Sequence, residues 1–165
     1  MTETTPYDAA RARFSRRALA RLTLCDHLVD VADNARHLVP TEPDAYNGPG
    51  GLASHALQLV ELAERALVSA VVFERERGSS WAEIAACLGI GPEAAEERFA
   101  PAVADWKTAF EVPYRLDETG LKRIPRLPTA AYDPEWAACQ LDRWAFLQRL
   151  GDQAVSSGLG GVAEG

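Results

Sequence analysis

The chain has 165 residues, of which 47% are apolar and 25% are charged, and its formal net charge is −7. This size and composition predict one globular domain that can bury a hydrophobic core. Three widely spaced cysteines, Cys25, Cys87 and Cys139, argue against a disulfide framework or a zinc site and predict buried free thiols. The N-terminal residues lack the apolar segment of a signal peptide, and no apolar run is long enough to span a bilayer. We therefore expect a cytoplasmic protein without a membrane partner.

The first predicted helix extends from about residue 6 to residue 39, where Pro40 ends it. Its apolar side chains recur at steps of four and three and predict one buried seam: Leu24, Leu28, Val31, Ala35 and Leu38. Arginines near its beginning form a row at intervals of four, with a fourth arginine beside them: Arg13, Arg17, Arg21 and Arg16. Such a row can contact the phosphates of DNA, or it can pair with acidic side chains of the same domain.

The opposite face of the first helix carries Asp26, Asp30, Asp33 and His37 at steps of four, three and four. Carboxylates and an imidazole on one face can serve as metal ligands. This face lies opposite the apolar seam, however, so the pattern favours a solvent-exposed acidic face. We expect neither a metal nor a cofactor.

A second long helix is predicted from Leu52 to Arg77, after a loop rich in proline and glycine. Its apolar seam again follows steps of four and three: Leu52, Ala56, Leu59, Ala63, Ala66, Ala70 and Phe73. Two long helices joined by a loop predict an antiparallel hairpin. Leu62, Leu67 and Val71 widen the apolar face beyond what one neighbouring helix covers, which predicts a homodimer.

Local signals then predict a short helix over residues 81–88. Gly78 ends the second helix, and Ser80 with Glu83 has the spacing of a capping box. Gly89 ends the short helix. A fourth helix begins at Pro92, and we expect Pro101 to divide it in two before Phe110.

Residues 79–100 have the pattern of a helix-turn-helix. This motif needs a small residue where its helices cross, a glycine in the turn, and apolar residues that hold the second helix against the first. Ala85 occupies the crossing position and Gly89 the turn. The remaining internal positions are apolar: Trp81, Ile84, Leu88, Ile90, Ala95 and Phe99.

The segment "AVVFERERGSSWAEIAACLGIGPEAAEERF" resembles the helix-turn-helix of a group of small actinobacterial proteins. In that group a long helix ending in "ERERG" leads into a scaffold helix with the pattern "SWAEI…LGI". The stretch "DPEWAACQLDRW" is similar to the closing helix of the group. The resemblance covers about residues 52–106 and, more weakly, 133–147. It implies a helical DNA-binding or regulatory protein without catalytic activity.

The second helix of the motif departs from that group where it would face DNA. Positions that carry Ser, Arg or Gln in such helices are occupied here by glycine, proline and glutamates. Glu93, Glu96 and Glu97 would meet the like charge of the phosphates, and Arg98 is the only basic residue among them. These charges argue against recognition of DNA bases by this helix.

Residues 111–135 are rich in proline and are predicted to form an irregular surface segment. Lys122 and Arg123, with Arg126, either contact a DNA backbone or form a flexible basic loop. Asp133 as N-cap and Pro134 at the first helical position predict a final helix. Its aromatic side chains, Trp136, Trp144 and Phe146, are expected to pack against the bundle.

The sequence therefore predicts an all-α fold, a helical bundle with a long antiparallel helix hairpin and an inserted helix-turn-helix. A single domain is expected over residues 1–153 and a flexible tail over residues 154–165. The first functional hypothesis is a non-enzymatic DNA-associated regulator of transcription that contacts double-stranded DNA through Arg13, Arg16, Arg17, Arg98, Lys122 and Arg123. The alternative is a protein-interaction adaptor in which Glu93, Glu96 and Glu97 bind a basic partner. No phosphate loop, serine elbow or Cys/His pair indicates an enzyme.

Overall fold

The computed structural model describes residues 12–39, 48–111, 115–116, 119, 122–123 and 127–148. Within these ranges the chain forms six helices: α1 Arg16–His37, α2 Gly51–Arg77, α3 Trp81–Leu88, α4 Pro92–Glu111, α5 Thr129–Tyr132 and α6 Pro134–Gln148. The predicted all-α class is confirmed. A two-residue antiparallel pair, β1 Arg115–Leu116 with β2 Lys122–Arg123, lies within the segment predicted to be irregular. The tail predicted over residues 154–165 lies outside the described residues.

Helix α1 begins at Arg16, and the prediction of one helix running from residue 6 is wrong at Ser15. Ser15 has extended backbone angles, and its Oγ accepts a hydrogen bond from the backbone N of Ala18 at 3.1 Å, so it is the N-cap. Phe14, just before the cap, packs against the cluster that contains Leu19, as in a hydrophobic staple. Arg13 therefore lies outside α1, and of the predicted helical row only Arg17 and Arg21 lie within the helix.

The buried face of α1 differs from the predicted seam. Leu19, Leu22 and Thr23 are buried, whereas Leu28 is exposed. Helix α1 contacts α2 on one side and α5 and α6 on another, so its first half is enclosed by three helices. The periodicity of apolar residues finds an amphipathic face, but the arrangement of the neighbouring helices decides which face is covered.

Helices α1 and α2 pack in opposite directions. Arg16 at the beginning of α1 approaches Glu76 at the end of α2, with 3.5 Å between Nε and Oε2. Further along, His27 Nδ1 lies 2.7 Å from Ser69 Oγ. The C-terminal half of α2 is thus enclosed, while Leu52 and several other residues of its N-terminal half are exposed. The predicted seam of α2 is therefore only partly buried.

Helix α4 continues through Pro101, so the expected division at this residue is wrong. A proline inside a helix removes one hydrogen bond and crowds the preceding turn, at a cost of about 3 kcal/mol. Here Phe99 lies before the proline and Val103 and Trp106 lie after it, and all three side chains are buried. Packing on both sides of Pro101 holds the two halves in one helix.

Helix α6 begins as predicted, because Asp133 Oδ1 accepts a hydrogen bond from the backbone N of Trp136 at 3.2 Å. The helix packs close to Ala18, Leu22 and Ala130. Most of its own buried side chains are small: Pro134, Ala137, Ala138, Leu141 and Ala145. Trp136 and Phe146 are exposed, so the expectation that its aromatic residues pack against the bundle is wrong for these two. Alanines allow a close approach that leaves the large rings outside the contact.

The prediction of buried thiols is also wrong for two of the three cysteines. Cys25 is half-buried, and Cys87 and Cys139 are exposed. Cys87 lies on the outer side of α3, whose inner side holds Ile84 and Ala85. In a helix with one covered face, an apolar residue type is not by itself sufficient for burial.

Candidate functional site

The corner formed by α3, the turn at residues 89–91 and the first half of α4 is the segment predicted to be a helix-turn-helix. Its beginning is held by the predicted capping box: Ser80 N donates to Glu83 Oε2 at 2.7 Å, and Glu83 N donates to Ser80 Oγ at 3.2 Å. These hydrogen bonds lower the pKa of the Glu83 carboxyl below its ordinary value. Gly89 ends α3 with a φ of 67°, a conformation that glycine adopts without strain. We refer to this segment as the α3–α4 corner.

The interior of the α3–α4 corner is apolar and closely packed. Ala85 is 1% exposed, Ala95 is completely buried, and Ile84 and Phe99 pack with Val71 of α2. Trp81 and Leu88 are half-buried beside this cluster. Ile90 is exposed, so its expected internal position is wrong: it lies in the turn, past the last residue of α3. Of the other positions expected to be internal, four are buried and two, Trp81 and Leu88, are half-buried.

The junction between α2 and α3 is held by polar contacts within the "ERERG" segment. The guanidinium carbon of Arg75 lies 4.5 Å from the centre of the Trp81 ring, and Arg75 Nη1 donates to the Ser79 carbonyl at 2.5 Å. Ser79 Oγ donates to Glu74 Oε2 at 2.8 Å. These contacts orient α3 relative to α2. They indicate that this charged segment has a structural role.

The outward face of α4 at the corner is acidic. Glu93, Glu96 and Glu97 are all exposed. Arg98 Nη2 donates to Glu64 Oε2 of α2 at 2.6 Å, and its guanidinium carbon lies 4.8 Å from the centre of the Phe99 ring. Glu64 precedes Arg98 by 34 residues, so no local sequence pattern indicates this pair. The only arginine expected on this surface is therefore paired within the chain, and the three carboxylates define what we call the acidic face.

The arginines near the beginning of α1 are largely paired with acidic residues. Arg13 Nη1 lies 2.6 Å from Glu135 Oε1 of α6, in an ion pair with both side chains exposed. Arg16 pairs with Glu76, and Arg17 is exposed. Exposed ion pairs contribute only about 0–1 kcal/mol, so Arg13 can exchange one anionic partner for another. The partner of Arg16 differs, because the Glu76 side chain is only 9% exposed.

Lys122 and Arg123 form β2, opposite Leu116 and Arg115. The alternative of a simple flexible loop is wrong at these two residues, because their backbone is part of the antiparallel pair. Backbone pairing by itself neither favours nor opposes a role in binding DNA.

The acidic residues of α1 do not form a metal site. Asp33 Oδ1 accepts a hydrogen bond from Trp144 Nε1 of α6 at 2.9 Å and lies 3.8 Å from Arg36 Nη1. Asp33 is therefore half-buried, which corrects the expectation that this whole face is exposed to solvent. Across the described ranges, no group of three or more His, Cys, Asp or Glu side chains is arranged to hold a metal ion.

His27 and Ser69 form a polar contact inside the hairpin. Burial lowers the pKa of His27 below its ordinary value, and the nearby guanidinium of Arg65 acts in the same direction against the opposing charges of Asp26 and Asp30. Burial also raises the pKa of the neighbouring Asp26 carboxyl. Ser69 is buried between two helices, so the pair acts to satisfy polar groups in the interface of α1 and α2.

The fold and the acidic face together define an all-α protein that carries an anionic helix on an apolar two-helix corner. No protein-family model, curated protein or solved structure matches this chain. Among the helices that the structure describes, none combines the length and the apolar character needed to cross a membrane.

Proposed function

We propose that this chain is a non-enzymatic protein-interaction module in which the α3–α4 corner is a scaffold and the acidic face of α4 binds a basic partner protein. The observation that carries this proposal is the contrast between Arg98 and its neighbours. Arg98 is paired with Glu64, whereas Glu93, Glu96 and Glu97 are exposed. The surface that a DNA-reading helix would present to phosphates is thus anionic.

The spacing of these carboxylates fits a basic partner. Residues three and four positions apart lie on one side of a helix, about 5–6 Å from each other, so Glu93, Glu96 and Glu97 form one continuous patch. Arginine side chains can bind carboxylates with two parallel hydrogen bonds, and complementary charge accelerates association. Binding to a DNA phosphate would instead bring like charges together.

A second candidate function is DNA association in a regulatory role, through Arg13, Arg16 and Arg17. The observation in its favour is the position of these arginines. The contact between Arg16 and Glu76 places the beginning of α1 next to the end of α2, from which α3 begins. In this case the phosphate contacts come from arginines outside α4, and they carry no base specificity.

A binding experiment with an arginine-rich helical peptide tests the first proposal. We expect the triple variant Glu93→Gln, Glu96→Gln, Glu97→Gln to weaken binding about tenfold, which corresponds to about 1.4 kcal/mol shared by three exposed charge pairs. The matched control is Asp30→Asn, Asp105→Asn, Glu135→Gln, which changes the net charge equally at three other exposed positions. Fluorescence anisotropy at low salt measures both. An equal loss in both variants would show that only the net charge matters and would contradict the proposal.

Random-sequence duplex DNA tests the second candidate in the same assay. If the arginines bind DNA, replacing Arg13, Arg16 and Arg17 by glutamine weakens binding for every sequence and lowers the salt dependence by about one unit of slope for each lost phosphate contact. The glutamine variant of the acidic face should then bind DNA more tightly, because three like charges are removed. Failure of the wild-type chain to bind duplex DNA at low salt would exclude this candidate.

A further inference from the structure

One face of α2 is covered in its C-terminal half and uncovered in its N-terminal half. Val71, Leu67 and Val68 pack in the cluster that contains Ile84 and Phe99 of the α3–α4 corner, and Glu64, one turn earlier, binds Arg98 of α4. Positions at steps of three and four continue this face toward the beginning of the helix. The next residues along it are Val60, Leu57 and Ala53, and we call these three the α2 stripe.

The α2 stripe is apolar and exposed. Leu57 is 60% exposed and Val60 is 56% exposed, and Ala53 is also exposed. The same side of the helix includes further exposed residues, Leu52 and Ala56. Contiguous apolar residues of this kind on a helix are typical of a surface that is covered by a second helix.

The two ends of the α2 stripe differ in charge. At the N-terminal end, the N-cap Gly50 has no side chain to accept from the backbone N–H groups, and no acidic residue lies in the first turn of α2. This end keeps the partial positive charge of the helix dipole. At the other end, Glu61 is an exposed carboxylate, whereas Glu64 is paired with Arg98 of the same chain. The stripe is therefore positive at one end and negative at the other, with apolar side chains between them.

We propose that the α2 stripe is the interface of a homodimer in which the α2 helices of two chains run antiparallel. In a symmetric pair the same patch of both chains is buried, so Leu57 and Val60 of one chain face Leu57 and Val60 of its partner. The antiparallel direction brings Glu61 of each chain toward the uncapped N-terminus of the other α2. A parallel pair would place Glu61 against Glu61 and one positive N-terminus against the other. This dimer goes beyond the proposed function and does not depend on it.

Sedimentation equilibrium of the full chain tests the interface. We expect the wild-type chain to dimerise at micromolar concentration and Leu57→Glu to weaken the dimer at least about tenfold, because the substitution places two carboxylates in an apolar contact. The matched control is Phe146→Glu on α6, where the side chain is 79% exposed and lies outside the stripe. Since both residues are largely exposed, both variants are expected to keep the wild-type melting temperature when circular dichroism is measured at a concentration low enough for every protein to be monomeric.

The direction of the helices is tested by a charge reversal at one end of the stripe. Glu61→Arg should weaken an antiparallel dimer several-fold, because a cation then faces a positive helix terminus. A parallel pair would keep like charges opposite each other before and after the change, so its affinity would stay the same. Asp105→Arg on α4 is the control with an equal change of net charge.

The proposal is supported if Leu57→Glu and Glu61→Arg both weaken the dimer while Phe146→Glu and Asp105→Arg leave it unchanged. A wild-type chain that has the mass of one chain at several hundred micromolar would overturn it. So would a dimer that Phe146→Glu disrupts and Leu57→Glu does not. A dimer that responds to Leu57→Glu and not to Glu61→Arg would overturn the antiparallel arrangement.

Discussion

The substitution Ala85→Glu should strongly destabilise the α3–α4 corner. Ala85 is 1% exposed, and its carbonyl accepts hydrogen bonds from the backbone N atoms of Gly89 and Ile90, so the residue is held at the end of α3 against the apolar interior. The neighbouring Ala86 is exposed. Two adjacent alanines in one short helix therefore face opposite environments.

The expected magnitude follows from two contributions. A longer side chain inserted into a packed interior costs about 1–3 kcal/mol through displacement of its neighbours. A buried carboxylate without a partner costs several kcal/mol more, or becomes protonated. Because a domain of this kind has a free energy of unfolding of about 5–15 kcal/mol, the loss is a large part of the total.

Urea denaturation followed by circular dichroism measures the free energy of unfolding of the variants. Ala85→Gln isolates the effect of volume, and its difference from Ala85→Glu gives the effect of charge. The loss for Ala85→Glu should also shrink as the pH falls toward 4, where the buried carboxyl is protonated at a smaller cost. Ala86→Glu keeps the same change of residue in the same helix and should shift stability by no more than about 0.5 kcal/mol.

Equal stability of Ala85→Glu and Ala86→Glu would refute the reasoning. Such a result would mean that Ala85 faces solvent and that the helix is rotated relative to the arrangement described above. A large loss for Ala85→Gln with no further loss for Ala85→Glu would show that volume alone decides the outcome.

Three other changes test local features of the fold. Ser80→Ala should lower the free energy of unfolding by about 1 kcal/mol in urea titrations, because it removes the hydroxyl that accepts from the backbone of Glu83, and no loss would show that the capping box is not formed. In the same titrations Gly89→Ala should lower the free energy of unfolding by about 1–2 kcal/mol, because residue 89 has a positive φ. Gly91→Ala should be close to neutral, because the added Cβ would lie 3.8 Å from the nearest side-chain atom. The pKa of His27 in the folded chain lies below its ordinary value of about 6.5, so at this position the unfolded chain binds a proton more readily than the folded chain. The contribution of His27 to stability is therefore present above about pH 6.5 and is lost as the pH falls. Chemical denaturation at about pH 7.5 and 5.5 should show this loss, and His27→Gln should reduce it; an unchanged pH dependence in that variant would assign the effect to other groups.

The ends of most helices were predictable from the sequence because they depend on neighbouring residues alone. Gly78 and Gly89 end helices with positive φ angles, and Ser80 caps the beginning of α3. Asp133 accepts from the backbone of α6 for the same local reason. The hydrogen bonds and backbone angles that end a helix join residues within about four positions, and the sequence alone determines them.

The location of the acidic face was also predictable from the sequence, since Glu93, Glu96 and Glu97 lie within about one helical turn of each other. That Arg98 is paired, and so does not add a free positive charge to this face, depends on the tertiary structure. Arg98 binds Glu64 across 34 positions of sequence, and Arg13 binds Glu135 across 122. No local pattern specifies such a pair, because it forms only when two separate helices are brought side by side.

Tertiary packing also decided which faces are buried and whether α4 is continuous. The seam through Leu28 has helical periodicity, but the neighbours of α1 cover Leu22 and Thr23 instead. Pro101 opposes a continuous helix locally, and the buried contacts of Phe99 and Trp106 on either side of it outweigh that effect. Periodicity and proline content describe the preferences of one segment, whereas the burial of apolar surface depends on all the segments that surround it.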